Sequence, residues 1–293
     1  MFPPVSLSSI TEQARAAAHI AAESAGVQVT DESDLAGLRE IEELFNTVWL
    51  LPPGESALPS ELLRSISHAG CNVTAARDRS GRIVGAAAAI VTPRSASKPH
   101  ASMYSLIAGV LPGLGDRGVG FAIKQHQRAW GLARDLTEMS WTFDPLVSRN
   151  ARFNLSKLGA VASEYAVDFY GPMQGTMNAN DESDRLVAVW PLTSEESIAC
   201  SEDRHIVVDR PDFSETDVLR FGPDGDPVLV AAHGALWCRV PTDIVALRAE
   251  NPELAAEWRR SIRSIFTDVF ASGHIARGVS RDGWYRLAPG GTA

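Results

Sequence analysis

Four glycines fall within eight residues of this chain, where a strand pattern gives way to a helical one. The segment is Gly113–Gly120 (Gly-Leu-Gly-Asp-Arg-Gly-Val-Gly), and it follows the apolar run Ser105–Val110. Glycines let the backbone turn its N–H groups toward a ligand at close range, and the start of the following helix carries a partial positive charge. N–H groups gathered in this way bind phosphate. The sequence therefore predicts a site for a nucleotide or coenzyme pyrophosphate, and an enzyme rather than a scaffold.

The elements that must position this loop are predicted by the hydrophobic periodicity around it. The apolar run before the loop predicts a strand over Met103–Val110, and the residues after it predict a helix over Val119–Arg134 and a strand over Glu138–Phe143. A polar turn at Arg77–Arg82 predicts an antiparallel hairpin. The other elements predicted before residue 192 are helices over Ser9–Ala25, from Leu35, and over Leu58–Ala69 and Asn150–Leu158, and strands over Gly26–Thr30, Cys71–Ala76, Ile83–Val91, Val161–Tyr170 and Arg185–Trp190.

The C-terminal part of the chain has its own pattern. The polar segment Thr193–Glu215 predicts a linker, and Val228–Ala232 with Ala235–Val240 predicts a hairpin. Asn251-Pro252-Glu253 is a strong helix start, and the helix is expected to end near Ala271, before a last strand pair. The predicted domains are therefore an N-terminal arm or helix (1–25), a main domain (26–191), a linker (192–215) and an α+β extension (216–293).

Composition excludes several classes of protein. The chain has 293 residues, 45% of them hydrophobic, which is ample for a buried core. A formal net charge of −9 argues against a general nucleic-acid binder. We expect no membrane span and no signal peptide, because long apolar runs and a basic leader are lacking. Cys71, Cys200 and Cys238 are far apart and predict reduced thiols in a cytoplasmic protein, and the spacing of possible ligands predicts no metal site.

The order of elements, with a glycine loop after the fourth strand, resembles the GNAT acyltransferase superfamily over Gly26–Trp190. Gly118 and Gly120 fit the loop motif of that superfamily, whereas Gly115 stands where glutamine or arginine is usual. A second segment, Asn150-Ala151 followed by Leu158-Gly159-Ala160, is similar to the asparagine, short helix and Leu-Gly-Phe ending of the superfamily. Further segments around Trp141–Leu146 and Trp258–Arg263 resemble a bacterial subgroup known only as predicted GNAT acetyltransferases of unknown substrate.

This resemblance implies a mixed, mostly antiparallel central sheet flanked by helices, which binds acetyl-CoA or another acyl-CoA as co-substrate. The amides of Arg117, Gly118, Val119 and Gly120 would hold the pyrophosphate. The backbone from Ala108 to Val110 would pair with pantetheine where two strands diverge, and Asn150 would reach the pantetheine arm.

Acyl transfer to an amine requires a base for the amine, a polarised carbonyl and an acid for the departing thiolate. Asp144 is the first candidate base, since a carboxylate beside aromatic residues is expected to have a raised pKa; the alternative is that it caps the turn at Pro145. Ser105 and Glu138 are weaker candidates. The tyrosine that serves as the acid in many members is replaced by Leu155, and Tyr104, Tyr165, Tyr170 or water would have to take that role.

Three basic side chains also have two interpretations each. His126 lies in the apolar stripe of the helix after the loop, where a structural histidine is the simpler interpretation and a catalytic one the alternative. Arg259 and Arg263 are one helical turn apart, so they either bind an anion or form part of a salt-bridged face.

The sequence as a whole therefore predicts a CoA-dependent N-acyltransferase, with acetyl as the default acyl group. It would act on a small amine or amino acid by direct transfer in a ternary complex. The alternative is a GNAT-like protein that binds CoA without catalysis, and a Rossmann-type nucleotide enzyme is disfavoured because no early βαβ unit is evident. The C-terminal third is expected to form a lid, a second GNAT-like half or the surface of a homodimer.

Overall fold

The computed structural model describes residues 6–94, 99–171, 181–210, 212 and 217–290. These residues form two compact units: the first contains the chain up to Trp141 together with Pro191–Glu202, and the second contains Thr142–Trp190 and the chain from Asp203 onward. The boundaries of these units differ from those of the predicted domains, because residues 26–191 are divided between the two units. That these residues act as one acyl-CoA domain therefore stays a prediction.

The first unit is a mixed α/β layer structure built on five neighbouring strands. Each of the first three strands pairs antiparallel with the next, whereas the fourth and fifth are parallel because a helix crosses between them. In spatial order the strands are β1 (Gln28–Asp31), β2 (Asn72–Arg77), β3 (Ile83–Thr92), β4 (Ser102–Val110) and β5 (Glu138–Phe143, of which the first four residues belong to this unit). The helices are α1 (Leu7–Ala25), α2 (Leu35–Val48), α3 (Ser60–His68), α4 (Val119–Leu132) and α6 (Glu195–Ser201), whereas α5 (Ser148–Arg152) belongs to the second unit.

Helices cover the sheet of the first unit on both faces. On one face the buried side of α2, including Leu38, Ile41 and Phe45, packs with α3 and with apolar residues of β2 and β3. On the other face Val119 and Ile123 of α4 pack against β3, and α1 packs against α4. Because α4 is covered by the sheet and by α1, most of its residues are buried, polar ones included.

The described residues of the second unit form seven strands, which pair antiparallel with one another. In spatial order they are β7 (Arg185–Pro191, whose last residue belongs to the first unit), β6 (Val161–Ala166), β11 (His274–Val279), β12 (Trp284–Pro289), β10 (Ala235–Arg239), β9 (Pro227–Ala232) and β8 (Asp217–Phe221). Its helices are α5 (Ser148–Arg152), a π-helical turn (Phe153–Lys157), α7 (Ile244–Glu250) and α8 (Pro252–Ala271).

Most elements lie where the sequence predicts them. The β2–β3 hairpin, the β9–β10 hairpin and α8 are confirmed, with the Asn251 side chain accepting from the N–H of Leu254 as the helix cap. The prediction missed β8, α7 and α6, which lies inside the predicted linker and is capped by Ser194. Short elements have too few residues to establish a period. The polar sequence of Gln174–Asp184 predicts an excursion before β7, and this segment lies largely outside the described residues.

Among the described residues, no helix is both long and apolar enough to cross a membrane.

Candidate functional site

The two strands that flank the glycine loop run side by side only at their beginnings. β4 and β5 are parallel, and their register pairs Met103 with Met139 and Tyr104 with Ser140. From Ser105 onward β4 stays paired with β3 but is no longer paired with β5. Both strands lie fully within the described residues. Leu106 is 37% exposed, and Ala108 is exposed as well. The first unit thus has an open space along the unpaired edge of β4, here called the wedge, and its narrow end lies between Ser105 and the residues of β5 that belong to this unit (Glu138–Trp141).

A β-bulge at Leu106 decides which layer each side chain of β4 faces. Ile107 pairs with Ala88 and Ser105 with Ala89, which leaves Leu106 as the extra residue. Ser105 contacts α4, whereas Ile107 packs with the apolar cluster under α2 and α3. The bulge therefore turns a polar side chain toward α4 at the narrow end of the wedge.

The glycine loop presents backbone N–H groups at the beginning of α4. Gly118 is the N-cap, with a left-handed backbone at φ 83°, and no side chain caps this helix. The N–H groups of Gly118, Val119 and Gly120 have no hydrogen-bond acceptor within the described part of the chain. The first N–H groups of any helix lack an intrahelical acceptor, and Gly115–Arg117 are exposed. An anion can therefore approach these three donors from solvent.

The amide of Arg117 departs from the predicted cradle. Its N–H donates to the carbonyl of Leu114 at 3.1 Å, and the N–H of Leu114 donates to Leu111 at 3.1 Å. The loop must close its own turns before the helix can begin, so this amide is already engaged. The Arg117 side chain itself is exposed.

A buried lysine that the sequence reasoning did not select lies beside Ser105. The Lys124 ammonium donates to Ser105 Oγ at 2.9 Å and lies 4.4 Å from the centre of the Trp141 ring. Burial lowers the pKa of Lys124 to about 7, and no other cause contributes to this shift. A signal was available, since Lys124 stands within the apolar helix that follows the loop and is one of only three lysines in the chain.

Lys124 is one end of a hydrogen-bonded chain through the first unit. Its Nζ donates to Gln127 Oε1 at 3.1 Å, and Gln127 Nε2 donates to Asn72 Oδ1 at 3.1 Å. Asn72 Nδ2 donates to Asp31 Oδ1 at 3.1 Å, and the same oxygen lies 2.9 Å from His126 Nε2. These bonds fix the orientation of the Gln127 amide toward the lysine. They also give His126 a partner, which supports its structural interpretation.

Asp144 lies in the second unit, where two arginines bind its carboxylate. Arg259 donates to Oδ1 at 2.8 Å and to Oδ2 at 3.0 Å, and Arg248 donates to Oδ2 at 2.7 Å. Burial raises the pKa of Asp144, but the hydrogen bonds and charges of the arginines outweigh it and hold the pKa far below the ordinary value. The expected raised pKa is therefore wrong. The capping alternative is confirmed, since the N–H of Leu146 donates to Asp144 Oδ1 at 2.9 Å.

The arginine side chains of α8 in the second unit form further ion pairs with nearby carboxylates. Arg259 binds Asp181 at 2.7 Å and Arg263 binds Asp184 at 2.8 Å, which confirms the salt-bridged interpretation of the two arginines. Tyr165 donates its hydroxyl proton to Asp184 at 2.6 Å. Burial and this carboxylate raise the pKa of Tyr165 well above its ordinary value, so Tyr165 is a poor proton donor.

The other predicted site residues divide between the two units. Ser105, Tyr104, Ala108 and Val110 share β4 in the first unit. Asn150 lies on α5 in the second unit and is exposed. Leu155, at the usual tyrosine position, is buried in the π-helical turn and has no proton to give.

No group of three or more histidine, cysteine or carboxylate side chains that could hold a metal occurs among the described residues.

Comparison with known proteins gives fold-level likenesses only. No family model matches the chain, and no curated protein matches its sequence. Among solved structures, the ribosomal-protein-S18-alanine N-acetyltransferase from Escherichia coli is 12% identical, with 57% of this chain and 95% of that chain covered and a TM-score of 0.45. A GNAT superfamily phosphinothricin acetyltransferase from Sinorhizobium meliloti, in complex with AcCoA, is 16% identical, with 57% and 88% covered and a TM-score of 0.46. A putative acetyltransferase from Salmonella typhimurium, with its cofactor acetyl-CoA, is 13% identical, with 64% and 98% covered and a TM-score of 0.46. Because every one of these TM-scores lies below 0.5, we draw no conclusion from them about family or activity.

Proposed function

We propose that this chain is an acyl-CoA-dependent N-acyltransferase of the GNAT type, with acetyl as the default acyl group and a small amine or amino acid as acceptor. One observation carries the proposal: the parallel strands β4 and β5 part after two residue pairs. The wedge they leave lies next to a glycine loop with three N–H groups that have no acceptor among the described residues. N–H groups that can bind phosphate, next to an unpaired strand edge that can bind amides, match an anionic coenzyme that carries an amide-containing arm.

The residues of the first unit fit the two ends of such a co-substrate. The N–H groups of Gly118, Val119 and Gly120 would hold the pyrophosphate, aided by the positive end of α4 and the exposed Arg117 side chain. The free edge of β4 from Ala108 to Val110 would bond the amides of the pantetheine arm as a neighbouring strand would. The thioester would then lie near the narrow end of the wedge, beside Ser105.

The transfer step needs a base and an acid at this place. Asp144 is not proposed as the base, because its carboxylate is bound by two arginines and remains ionised. Ser105 is the predicted candidate that lies at the narrow end of the wedge. With the amine and the thioester held together in a ternary complex, alignment supplies a large part of the rate. The cytoplasmic location and the homodimer stay predictions.

The experiment is a binding titration followed by turnover. Acetyl-CoA, CoA, ATP and NAD are each titrated into the full chain by calorimetry, and we expect CoA species alone to bind. Release of CoA thiol is then followed with a panel of amines and amino acids. Binding without turnover on a broad panel would favour the non-catalytic alternative, and binding of NAD alone would contradict both.

A pair of variants locates the site. Ala108→Trp places an indole on the exposed edge of β4 inside the wedge, so we expect loss of CoA binding in a folded protein. Ala16→Trp puts the same bulk on an exposed position of α1 and should bind CoA as the wild type does. Equal affinity of the two variants would refute the wedge as the site.

A further inference from the structure

The lysines of this chain are few, and one of them is buried. Only Lys98, Lys124 and Lys157 are lysines among 27 basic side chains, the remainder being arginine. Lys124 is 4% exposed. Arginine stays protonated in proteins, whereas a buried lysine can give up its proton near neutral pH. The chain thus places a cation that can be neutralised at a site where an arginine would remain charged.

Among the described residues, the side chains that face Lys124 Nζ offer hydrogen-bond acceptors and no counter-charge. Ser105 faces Nζ from β4, Met139 and Trp141 face it from β5, and Gln127 faces it from its own helix. None of these four side chains carries a charge. Burial is the one cause of the lowered pKa of Lys124, which is about 7. The amine is therefore able to hold and release a proton in the neutral range.

The position of Ser105 connects this amine to the wedge. Tyr104 is the last residue of β4 whose register includes β5, so Ser105 is the first residue at the narrow end. Its Oγ lies 2.9 Å from Lys124 Nζ. A group in the wedge that bonds to Ser105 Oγ is thereby one hydrogen bond away from the buried amine.

We propose that Ser105 and Lys124 form a proton relay for acyl transfer, in which Ser105 Oγ contacts the attacking amine and Lys124 stores the proton behind it. The inference rests on the proposed acyltransferase function. It supplies both the base that Asp144 does not provide and the acid that Leu155 cannot provide. Lys124 acts through Ser105 and does not itself touch the substrate.

The proposed step conserves protons and electrons. The nitrogen of the neutral amine forms a bond to the thioester carbon, and the proton it loses passes to Ser105 Oγ while the hydroxyl proton of Ser105 passes to Lys124 Nζ. The carbon–sulfur bond breaks, and sulfur leaves with the electron pair. The stored proton returns through Ser105 to the thiolate, so the products are the amide and CoA thiol, with Lys124 neutral again. The return is downhill, because a free thiol has a pKa of about 8.5.

The test exploits the amide that faces Lys124. Gln127→Glu puts a carboxylate at the position of Oε1, 3.1 Å from Nζ, and a nearby negative charge raises the pKa of a lysine. We expect the acidic limb of kcat/KM against pH to move up by at least one pH unit relative to the wild type. The same amine is used for both proteins, so its own titration cancels.

Two further variants separate the relay from a packing role. Lys124→Met keeps the length of the side chain without the proton, and we expect turnover to fall by about 10²–10⁴-fold with unchanged CoA affinity and unchanged circular dichroism. Lys157→Met is the matched control and should leave turnover and the pH profile as they are. Full turnover in Lys124→Met, or an unmoved limb in Gln127→Glu, overturns the relay while leaving the acyltransferase function intact.

The titration of Lys124 can also be followed without any reaction. With [13C]lysine, the chain gives three sets of side-chain signals in NMR spectra, and we expect one to titrate near pH 7 and to move upward in Gln127→Glu. Three signals that all titrate near the ordinary lysine value would overturn the relay even if turnover is observed. Absence of CoA binding by the wild type would instead defeat the proposed function, and the relay with it.

Discussion

Asp144 and Lys124 are both buried ionisable groups, and their neighbours give them opposite chemistry. Asp144 has two arginines against its carboxylate, so its charged form is stabilised and its pKa is lowered. The partners of Lys124 in the described part of the chain are all uncharged, so burial favours its neutral form. At the residue scale, Asp144 therefore stays ionised, whereas Lys124 can exchange a proton near pH 7.

Replacing Asp144 tests the structural role of its ionised carboxylate. Asp144→Asn removes one of the two carboxylates that Arg248 and Arg259 share, the other being Asp181, and breaking a buried ion pair costs about 3–5 kcal/mol. Chemical denaturation measures the loss. Asp268→Asn breaks the exposed pair with Arg220 and should cost at most about 1 kcal/mol. Equal effects of the two changes would contradict the assignment.

The lowered pKa of Asp144 also predicts that the free energy of unfolding decreases in acid. The folded state holds this proton less tightly than the unfolded state, so the stabilisation is complete above the ordinary pKa of 3.8 and is lost as the pH falls below it. Unfolding followed from pH 6 to pH 2 should show a steeper loss of stability in the wild type than in Asp144→Asn. Parallel curves for the two proteins would be inconsistent with a depressed pKa.

The lowered pKa of Lys124 makes the free energy of unfolding depend on pH above neutrality. Its pKa falls from 10.5 in the unfolded chain to about 7 in the folded one, so between these values the unfolded state binds more protons. The free energy of unfolding should therefore rise as the pH increases from 7 to 10.5. Lys124→Met removes that rise and should be the more stable protein at pH 6. A wild-type curve that is flat over this range would contradict the buried neutral amine.

At the element scale, the geometry of the candidate site comes from how β4 ends and how α4 begins. β4 leaves β5 after two pairs, its bulge at Leu106 turns Ser105 toward α4, and α4 starts from a left-handed glycine without a side-chain cap. Each of these features is a departure from regular structure. Together they open the wedge, aim the hydroxyl and leave the N–H groups without acceptors among the described residues.

Gly118 tests the requirement for the left-handed helix start. A Cβ at this position would lie 3.7 Å from the Cβ of Ala25, which is ordinary contact, so the backbone conformation and not space limits the substitution. Gly118→Val should cost about 1–2 kcal/mol and weaken CoA binding, because a β-branched residue resists φ 83°. Gly118→Asn, which tolerates that conformation, should restore both properties. Melting curves and CoA titrations would disagree with this account if both variants behaved alike.

At the scale of the whole molecule, the chain divides into two compact units that carry different parts of the prediction. The first unit contains the wedge, the glycine loop and the Ser105–Lys124 pair, and the second contains the buried network around Asp144. Each unit has its own hydrophobic clusters. Units of this kind often unfold in separate steps, so a single melting temperature is not expected to describe the chain.

Differential scanning calorimetry tests this division. We expect two transitions, one raised by acetyl-CoA because ligand binding stabilises the folded first unit, and the other lowered by Asp144→Asn. A single transition that responds equally to the ligand and to the substitution would show that the chain unfolds as one unit.

The long, strongly periodic elements were determined by the sequence alone. The helix from Pro252, the β2–β3 and β9–β10 hairpins and the strand–loop–helix order around Gly118 follow from local patterns, because helix caps, turn glycines and hydrophobic periods act over a few residues. The glycine loop was therefore predictable as a candidate anion site.

The chemistry of the buried groups was decided only by the tertiary structure. Asp144 and Arg259 are far apart in the sequence, as are Ser105 and Lys124, and only folding brings each pair into contact. A pKa depends on burial and on charges within a few ångströms, and local sequence contains neither. For that reason Asp144 was predicted as a base and proved to be a bound ion, while Lys124, read as one more residue of a helix, proved to be the group beside Ser105.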